Sequence, residues 1–323
     1  MATQSLPLVI DTDPGMGFPY ADVDDNLAVI CALSSPGLSV ELVSVVSGNV
    51  EALDGCASIR KTVEMQKKSV RVALGCRKPL TRPYISGREL LEGMTRRSGG
   101  EIAFRQYRMD APSRIRGTSA FDAQVELLED APGPVTMLCL GPLTNIALLL
   151  HQRPDLISRI ERLVIMGGAI DLPGNVSPFA EFNVWVDPEA ARIVFECPVP
   201  KVIVPLDVTT RVDVTTAEIG SAVADSRPFG RYVLECLSGW AEVMERRGGS
   251  GAFNPHDPIA LFYILKPELF TTEVADILVD ERTGRTSRRE NPRSPTTICT
   301  GIDARAFKDA FYTCLGKAAA AAT

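Results

Sequence analysis

The sequence predicts an α/β fold in which one mainly parallel, Rossmann-like sheet is flanked by helices. Short apolar runs alternate with helix-like runs through the first two thirds of the chain, and strands that alternate with helices form βαβ units. No linker rich in proline, glycine or serine divides the 323 residues, so we expect a single domain over residues 1–323. Acidic side chains gather where the first strand ends, which is where such sheets bind ligands.

The repeating units follow one another along the chain. The predicted strands are Leu6–Ile10, Val40–Val46, Val70–Leu74, Val135–Leu140, Arg162–Ile165 and Lys201–Pro205. The predicted helices between them are Asp24–Leu33, Leu53–Gln66, Ser119–Glu129, Leu143–His151 and Pro188–Glu196. The strands are short and largely apolar, which is typical of strands buried in a parallel sheet.

The last third of the chain has a different pattern. It is helical from Thr216 to Lys266, which predicts a helical subregion near the ligand site, with a glycine-rich loop at Gly248-Gly249-Ser250-Gly251. We expect the arginines of a basic loop at Arg282–Arg293 to lie on a solvated hairpin, and the alanines after Lys317 to form a frayed helix end. The remaining predicted elements are helices at Phe229–Glu245 and Pro258–Leu265, a strand from Glu273, a basic loop at Arg282–Arg293, a strand at Thr296–Thr300 and a helix from Ala304.

The composition excludes several classes of protein. A formal net charge of -6, with 45% hydrophobic and 23% charged residues, is ordinary for a globular protein and argues against a nucleic acid polymer as partner. No run is long and apolar enough to span a membrane, and the first residues lack a basic segment followed by an apolar one, so we expect that the protein is not secreted. The eight cysteines show no Cys-x-x-Cys spacing, so we expect reduced core residues and a cytoplasmic location.

The first strand and the turn after it carry the densest group of acidic residues. Asp11 and Asp13 are two residues apart, so strand alternation places them on the same face, and Pro14-Gly15 then turns the chain. Asp24 and Asp25 open the next helix, where carboxylates suit the helix dipole. Four carboxylates near one strand end repel each other, and a hard divalent cation would relieve that repulsion.

Three later segments also carry polar groups in places suited to chemistry. Gly141-Pro142-Leu143-Thr144-Asn145 follows a strand and is either a plain turn or a donor of a backbone carbonyl to a metal. Asn175, Glu181 and Asn183 suit a ligand with several hydroxyls, although loop capping would also explain them. His256 stands beside Asp257 and could protonate a leaving group, whereas His151 ends a helix and has a structural explanation.

Taken together, five motifs resemble the inosine–uridine-preferring nucleoside hydrolase family. They occur in the family's order and at near family spacing, and the resemblance covers essentially the whole chain. The motifs are Asp11-Thr12-Asp13-Pro14-Gly15 with Asp24-Asp25, Gly141-Pro142-Leu143-Thr144-Asn145, Met166-Gly167-Gly168, Ala180-Glu181-Phe182-Asn183 with Asp187-Pro188-Glu189-Ala190-Ala191, and His256-Asp257-Pro258.

The resemblance implies Ca²⁺-dependent hydrolysis of the N-glycosidic bond of ribonucleosides, in purine and pyrimidine salvage, by a homodimer or homotetramer. It assigns the metal to the carboxylates of Asp13, Asp25 and Asp257 and the backbone carbonyl of Leu140. Asp13 also corresponds to the general base and His256 to a histidine near the nucleobase. The remaining roles are ribose 2′-hydroxyl contacts for Asp24 and Asn183, 5′-hydroxyl contacts for Asn175 and Glu181, a further ribose contact for Asp257, and a supporting carboxylate for Asp11.

Two departures from the family pattern affect the site. Met16 to Val23 separate Gly15 from Asp24, whereas the family usually has one residue there, so this segment is expected to bulge beside the pocket, where it could displace Asp24 or form a lid. Many members also carry a histidine-glycine pair after the third strand. Here that region, residues 84–88, is Tyr-Ile-Ser-Gly-Arg, which leaves the preferred nucleobase open.

Two other functions compete with ribonucleoside hydrolysis. A phosphohydrolase of the haloacid dehalogenase type also has Asp-x-Asp after its first strand, and it would use Asp11 as nucleophile, Mg²⁺ and a lysine, for which Lys201 is the candidate. A non-catalytic or altered-specificity ribose- or nucleoside-binding protein on the same fold would result if the segment from Met16 to Val23 reshaped the site. Ribose release from ribonucleosides separates the three.

Overall fold

A nine-stranded sheet runs through the part of the chain that the structure, a computed structural model, describes: residues 5–97, 117–223, 228–246 and 250–322. The strands are β1 (Leu6–Thr12), β2 (Leu38–Val45), β3 (Arg71–Leu74), β4 (Val135–Cys139), β5 (Ile160–Met166), β6 (Lys201–Val204), β7 (Val214–Thr215), β8 (Ala252–Phe253), β9 (Phe270–Val279), β10 (Thr286–Glu290) and β11 (Thr296–Ile302). In the large sheet the strand order is β10-β9-β11-β6-β5-β4-β1-β2-β3, while β7 and β8 form a separate pair.

Helices cover both faces of this sheet. They are α1 (Asp24–Ser34), α2 (Ala52–Met65), α3 (Gly87–Arg97), α4 (Ala120–Asp130), α5 (Thr144–Gln152), α6 (Phe182–Val186), α7 (Pro188–Glu196), α8 (Leu206–Thr209), α9 (Thr216–Val223), α10 (Phe229–Arg246), α11 (His256–Leu265) and α12 (Ala304–Ala322), with 3₁₀ turns at Pro154–Arg159 and Pro267–Leu269. Within the large sheet, pairing is parallel from β11 through β6, β5, β4 and β1 to β2 and β3, and antiparallel where β9 joins β10 and β11. The predicted fold class is therefore confirmed.

Alternating side chains of the strands build two apolar layers. Leu8 and Ile10 of β1 belong to one buried cluster with α1, α2 and α9 to α12, whereas Val9 belongs to the other with α4, α5 and α7. Because β1 pairs with β2 on one side and β4 on the other, it lies inside the sheet. The ends of β1, β4 and β5 therefore emerge side by side between the two helical layers, and this places the site.

Most predicted elements agree with the structure to within three residues, and two predicted segments differ. β10 lies inside the predicted basic loop Arg282–Arg293, whose Arg288 and Arg289 pair with Glu273 and Asp276 across the hairpin. A solvated hairpin is thus confirmed. The segment predicted as helical throughout contains β8, because Ala252–Phe253 pairs with β7; Gly248 and Gly249 of the predicted loop lie outside the described residues.

The alanine tail was predicted to fray, and this was wrong. α12 continues to Ala322, and the side chains of Ala318, Ala319 and Ala322 are buried against the core. Alanine has the highest helix propensity, and one face of the helix packs on its neighbours, so the terminal turn is held in place. No helix in the described part of the chain is long and apolar enough to cross a membrane.

Candidate active site

A cavity of about 470 Å³ opens beyond the carboxyl ends of the central strands. Asp13 after β1, Leu140 after β4 and Met166 at the end of β5 contribute to its floor, and α3, α10 and the segment before α11 form its walls. The structure brings eight of the predicted site residues together here. These lining residues are Asp13, Asp24, Leu140, Asn175, Glu181, Asn183, His256 and Asp257.

Three buried carboxylates at the base of the cavity could hold a metal ion. One oxygen of each of Asp24, Asp25 and Asp257 lies within 4.8 Å of the others. The first two open α1 and the third opens α11, so two helix N-termini, where the dipole favours negative charge, face each other. The backbone N–H of Asp257 donates to Asp24 Oδ2 at 3.1 Å and joins the two helix ends directly.

Asp25 lies beneath the cavity and connects this triad to the first strand. Its Oδ1 accepts the hydroxyl of Thr12 and the backbone N–H of Asp13 (3.1 Å), and its Oδ2 accepts Asn49 Nδ2 (3.0 Å). Asp13 is held in turn, since its Oδ2 accepts the backbone N–H of Asn49 at 2.7 Å. The carboxylates of Asp13 and Asp25 are therefore fixed relative to each other by the loop after β2.

The electrostatics of the cluster favour a cation. Burial raises the pKa values of Asp13, Asp24 and Asp257 well above the usual range, and repulsion between neighbouring carboxylates raises them further. Among the described residues that line the cavity there is no lysine or arginine to offset this charge. Carboxylate oxygens from separate segments are the donors that hard divalent cations take, so the residues present fit such an ion.

The opposite wall carries polar groups suited to hydroxyls. Glu181 caps α6 by accepting the backbone N–H groups of Asn183 (2.7 Å) and Val184 (3.1 Å), and it also accepts the backbone N–H of Gly168 (3.0 Å). Burial raises its pKa. Asn183 Nδ2 donates to the carbonyl of Leu140 at 2.6 Å, which fixes that carbonyl at the cavity. Asn175, also on the cavity wall, accepts the backbone N–H of Phe182 at 2.9 Å.

His256 is the first residue of α11, and it lines the cavity. Its Nδ1 is 2.7 Å from the hydroxyl of Thr209, and burial lowers its pKa to about 4. The imidazole is therefore neutral at pH 7, and Nε2 is the ring nitrogen left for the cavity. His151, the other histidine, is exposed in the last turn of α5, as predicted.

Comparison with known proteins identifies the family to which the chain belongs. Residues 8–309 match the family described as inosine-uridine preferring nucleoside hydrolase, and this stretch includes every site residue named above. The chain belongs to this nucleoside hydrolase family. The predicted enzyme class, a glycosidase that acts on N-ribosyl bonds, is thereby confirmed, and the phosphohydrolase alternative is wrong. Lys201, which that alternative required, is buried with its Nζ on the carbonyl of Cys197 and does not line the cavity.

Sequence and structure relatives agree with this assignment. The hydrolase is 37% identical over 272 residues to the pyrimidine-specific ribonucleoside hydrolase RihA of Salmonella arizonae, an alignment that covers 83% of this chain and 82% of the relative. RihA of an Enterobacter species is also 37% identical, over 271 residues. The purine-preferring ribonucleoside hydrolase from Gardnerella vaginalis has the same fold, with a TM-score of 0.83, 26% identity and coverage of 97% of this chain and 99% of that one.

One expectation about the first strand, that Asp11 and Asp13 share a face, needs correction. Asp11 does not line the cavity with Asp13, because β1 ends at Thr12 and strand alternation stops before Asp13. Asp11 lies below, where Ser44 and Asn145 (2.8 Å) donate to its Oδ1 and its Oδ2 has no hydrogen-bond partner. Burial raises the pKa of Asp11 to about 7.

The segment from Met16 to Val23 neither displaces Asp24 nor forms a lid. The side chains of Met16, Tyr20 and Val23 are buried in the main core. Asp24 keeps its place at the start of α1 and on the cavity wall. The extra residues are thus accommodated inside the protein, because most of them are apolar and can be buried.

Several cavity residues were not predicted from the sequence. Asn49 contacts the carboxylates of Asp13 and Asp25, but it follows a strand whose loop carries no recognisable motif. α3 was missed altogether, although Ser86 and Glu89 form a capping box in which each side chain accepts the other's backbone N–H (3.2 and 3.0 Å). That Ser-x-x-Glu signal could have revealed the helix. The unpredicted lining residues include Asp22, Asn49, Glu89, Leu91, Met94, Trp240 and Met244.

Glycine at position 48 is required for the placement of Asp13. A Cβ added to Gly48 would lie 2.7 Å from Asp13 Cγ and 2.8 Å from Pro142 Cδ. We expect Gly48→Ala to lower kcat by about tenfold to hundredfold, because small displacements of a reacting group are costly. Gly37→Ala is the matched control, since nothing lies within 4 Å of its added Cβ. Steady-state kinetics in which the two variants behave alike would contradict this role for Gly48.

Proposed function

We propose that the protein hydrolyses the N-glycosidic bond of ribonucleosides in a Ca²⁺-dependent reaction, releasing ribose and the free nucleobase. The observation that carries the proposal is one cavity lined both by members of a buried carboxylate cluster and by the polar side chains of Asn175, Glu181 and Asn183, which suit hydroxyls. A sugar has hydroxyls for these side chains to bind, and the carboxylates supply both a metal site and a base.

We assign the metal to the carboxylates of Asp13, Asp25 and Asp257 and to the carbonyl of Leu140. These donors are all oxygens, which suits Ca²⁺. Asp24, the third member of the geometric triad, is assigned to the sugar instead, because it lines the cavity while Asp25 is fully buried. When bound, the ion lowers the pKa of a water and fixes its orientation.

Asp13 is the general base in this account. Its carboxylate lines the cavity and is anchored by Asn49, so it is positioned to take a proton from the attacking water. The water oxygen bonds to C1′ as the bond from C1′ to the nucleobase nitrogen breaks, and the departing base gains a proton. One carboxylate that activates water opposite a leaving group is the arrangement of inverting glycoside hydrolysis.

The ribose is held by the remaining polar groups. Asp24 and Asn183 are assigned to the 2′-hydroxyl, Asn175 and Glu181 to the 5′-hydroxyl, and Asp257 to a further ribose hydroxyl. Glu181 is fixed by three backbone N–H groups, so its position is set before the sugar arrives. Binding energy from hydroxyls remote from C1′ is available to accelerate the reaction.

His256 is assigned to leaving-group protonation. Proton donation from Nε2 requires the imidazolium form, whereas burial lowers the pKa of His256 to about 4, so the donor role requires that bound substrate beside the carboxylates raises this pKa while Thr209 holds Nδ1. We expect His256→Ala to slow a natural ribonucleoside by about 10²-fold and p-nitrophenyl riboside by much less, since a good leaving group needs no proton. His151→Ala, an exposed histidine, is the matched control. Equal slowing of both substrates in His256→Ala would reject the donor role.

The nucleobase end of the cavity is largely apolar. Leu91 and Met94 of α3 face the space together with Trp240 and Met244 of α10. The RihA relatives are named for pyrimidine ribonucleosides, and the Gardnerella enzyme for purine ones. Among the described residues that line the cavity, His256 is the one histidine, and the histidine-glycine pair of many family members is not found there.

A panel of uridine, cytidine, inosine and adenosine tests the proposed function. Release of reducing sugar from any of them in the presence of Ca²⁺ is the expected result. Binding of ribose without turnover of any nucleoside would instead favour a non-catalytic binding protein. The salvage role and the homodimer or homotetramer rest on the family resemblance, the cytoplasmic location rests on the pattern of cysteines, and all three remain predictions.

A further inference from the structure

The hairpin of β9 and β10 contacts the turn that follows β5. β10 lies at the edge of the large sheet and most of its residues are exposed, but its first residue, Thr286, is buried. The hydroxyl of Thr286 accepts the backbone N–H of Ala169 at 2.9 Å and donates to the backbone carbonyl of Ala169 at 2.8 Å. One side chain thus satisfies both backbone polar groups of a buried residue in this turn.

The turn held by Thr286 also contacts the sugar side of the cavity. Gly168, the neighbour of Ala169, has a φ of 88°, a conformation that favours glycine. A Cβ added to Gly168 would lie 3.2 Å from Thr286 Oγ1, so the hydroxyl and the turn are in close contact. The backbone N–H of Gly168 donates to Glu181 Oε2 at 3.0 Å. The residue that Thr286 holds is therefore adjacent to the one that contacts Glu181.

The contact from Gly168 differs from the other two that hold the Glu181 carboxylate. Asn183 and Val184 belong to α6, the helix that Glu181 itself caps, so their N–H groups move with that helix. Gly168 instead lies just beyond the end of β5. Its N–H therefore fixes the carboxylate relative to the sheet, and the sheet also carries the metal and base residues at the end of its first strand.

A second anchor holds the far side of the same turn. The carboxylate of Asp207 accepts the backbone N–H groups of Ile170 (2.8 Å) and Asp171 (2.7 Å). These contacts leave the backbone of Ala169 to Thr286. Loss of the Thr286 hydroxyl would leave the N–H and the carbonyl of Ala169 without these partners, and buried backbone groups shift to find new ones.

We propose that Thr286 is a positioning residue for the 5′-hydroxyl site. By holding Ala169 it sets the place of the Gly168 N–H and, through that group, of the Glu181 carboxylate. The inference rests on the proposed function, which assigns Glu181 to the 5′-hydroxyl. It gives the hairpin of β9 and β10 a role in the reaction although Thr286 does not line the cavity.

The test compares the ribonucleoside that the protein hydrolyses fastest with its 5′-deoxy analogue, at saturating Ca²⁺. Thr286→Val keeps the shape of the side chain and removes the hydroxyl. We expect it to lower kcat/KM for the ribonucleoside about tenfold. For the 5′-deoxy analogue, kcat/KM should stay within about twofold of the wild type, because that sugar has no hydroxyl for Glu181 to bind. Thr286→Ser keeps the hydroxyl and should stay within about twofold for both substrates.

The matched control removes a buried threonine hydroxyl elsewhere in the sheet. Thr136 lies in β4, and its hydroxyl has no hydrogen-bond partner in the part of the chain that the structure describes. Thr136→Val should therefore leave kcat/KM for both substrates within about twofold of the wild type. If thermal unfolding shows that Thr286→Val is not folded at the assay temperature, Thr286→Ala, which adds no new atoms, takes its place with the same expected results.

The outcomes separate this inference from the proposed function. A wild-type protein that releases no ribose from any nucleoside would overturn both. An active wild type would keep the proposed function, and the inference would be overturned by an equal loss for the two substrates in Thr286→Val, which would indicate a general structural role. It would also be overturned by unchanged kinetics in Thr286→Val, since Asp207 would then suffice, or by a loss in Thr286→Ser equal to that in Thr286→Val.

Discussion

Asp13→Asn is expected to slow ribonucleoside hydrolysis on the order of 10³-fold at saturating Ca²⁺, the middle of the range for general base catalysis. The amide keeps the size of the side chain and can still meet the backbone N–H of Asn49 through its oxygen. It cannot accept a proton from water at neutral pH, so kcat should fall while the fold is retained. Because Asp13 is also assigned to the metal, the assay needs a Ca²⁺ titration for each variant.

The control for Asp13→Asn removes the same charge elsewhere. Asp130, the last residue of α4, is exposed, so Asp130→Asn should have wild-type kinetics and thermal stability. A substantially active Asp13→Asn enzyme at saturating Ca²⁺ would show that another group activates the water. In that event the position of Asp13 at the cavity floor would need a purely structural explanation.

Asp25→Ala is expected to weaken Ca²⁺ binding by about 10³-fold, which corresponds to about 4 kcal/mol and lies within the cost of truncating one partner of a buried charge pair. Asp25 is fully buried and anchored by Thr12 and Asn49, so it is preorganised as a ligand. Isothermal titration calorimetry with Ca²⁺ alone measures this effect without reference to turnover.

Two further variants make the Asp25 result interpretable. Asp25→Asn keeps an oxygen for Thr12 and the backbone N–H of Asp13 but loses the charge, so it should also bind Ca²⁺ poorly while remaining folded. Asp309→Ala removes an exposed carboxylate on α12 and should bind Ca²⁺ like the wild type. Undiminished Ca²⁺ affinity in Asp25→Ala would remove this residue from the metal site.

The elements that could be predicted from sequence are those with strong local signals. Asp187-Pro188 marks the start of α7, and the structure places that helix at Pro188–Glu196, as predicted, with Asp187 accepting the backbone N–H of Ala190 (3.1 Å). β10 lacked such a signal, because its five residues are polar and arginine-rich. It exists because β9 offers an edge to pair with, and no local pattern reports that partner.

The site residues also divide into those with a signal in the sequence and those without one. Its acidic residues could be predicted because the fold brings the ends of parallel strands together and the motifs recur in a known family. The contacts of Asn49 could not, since they depend on how the loop after β2 crosses the end of β1. The course of residues 16–23 could not be predicted either. The burial of Met16 and Tyr20 depends on space between α1 and its neighbours, and only the folded chain defines that space.

The central claim is that the carboxylate cluster holds a Ca²⁺ ion required for ribonucleoside hydrolysis. The most direct test measures ribose release from uridine and inosine by one preparation in three states: with Ca²⁺, after exhaustive chelation and dialysis, and after Ca²⁺ is restored. We expect ribose release in the first state, loss of nearly all ribose release in the second and full recovery in the third. Undiminished ribose release by protein shown by elemental analysis to be metal-free would contradict it.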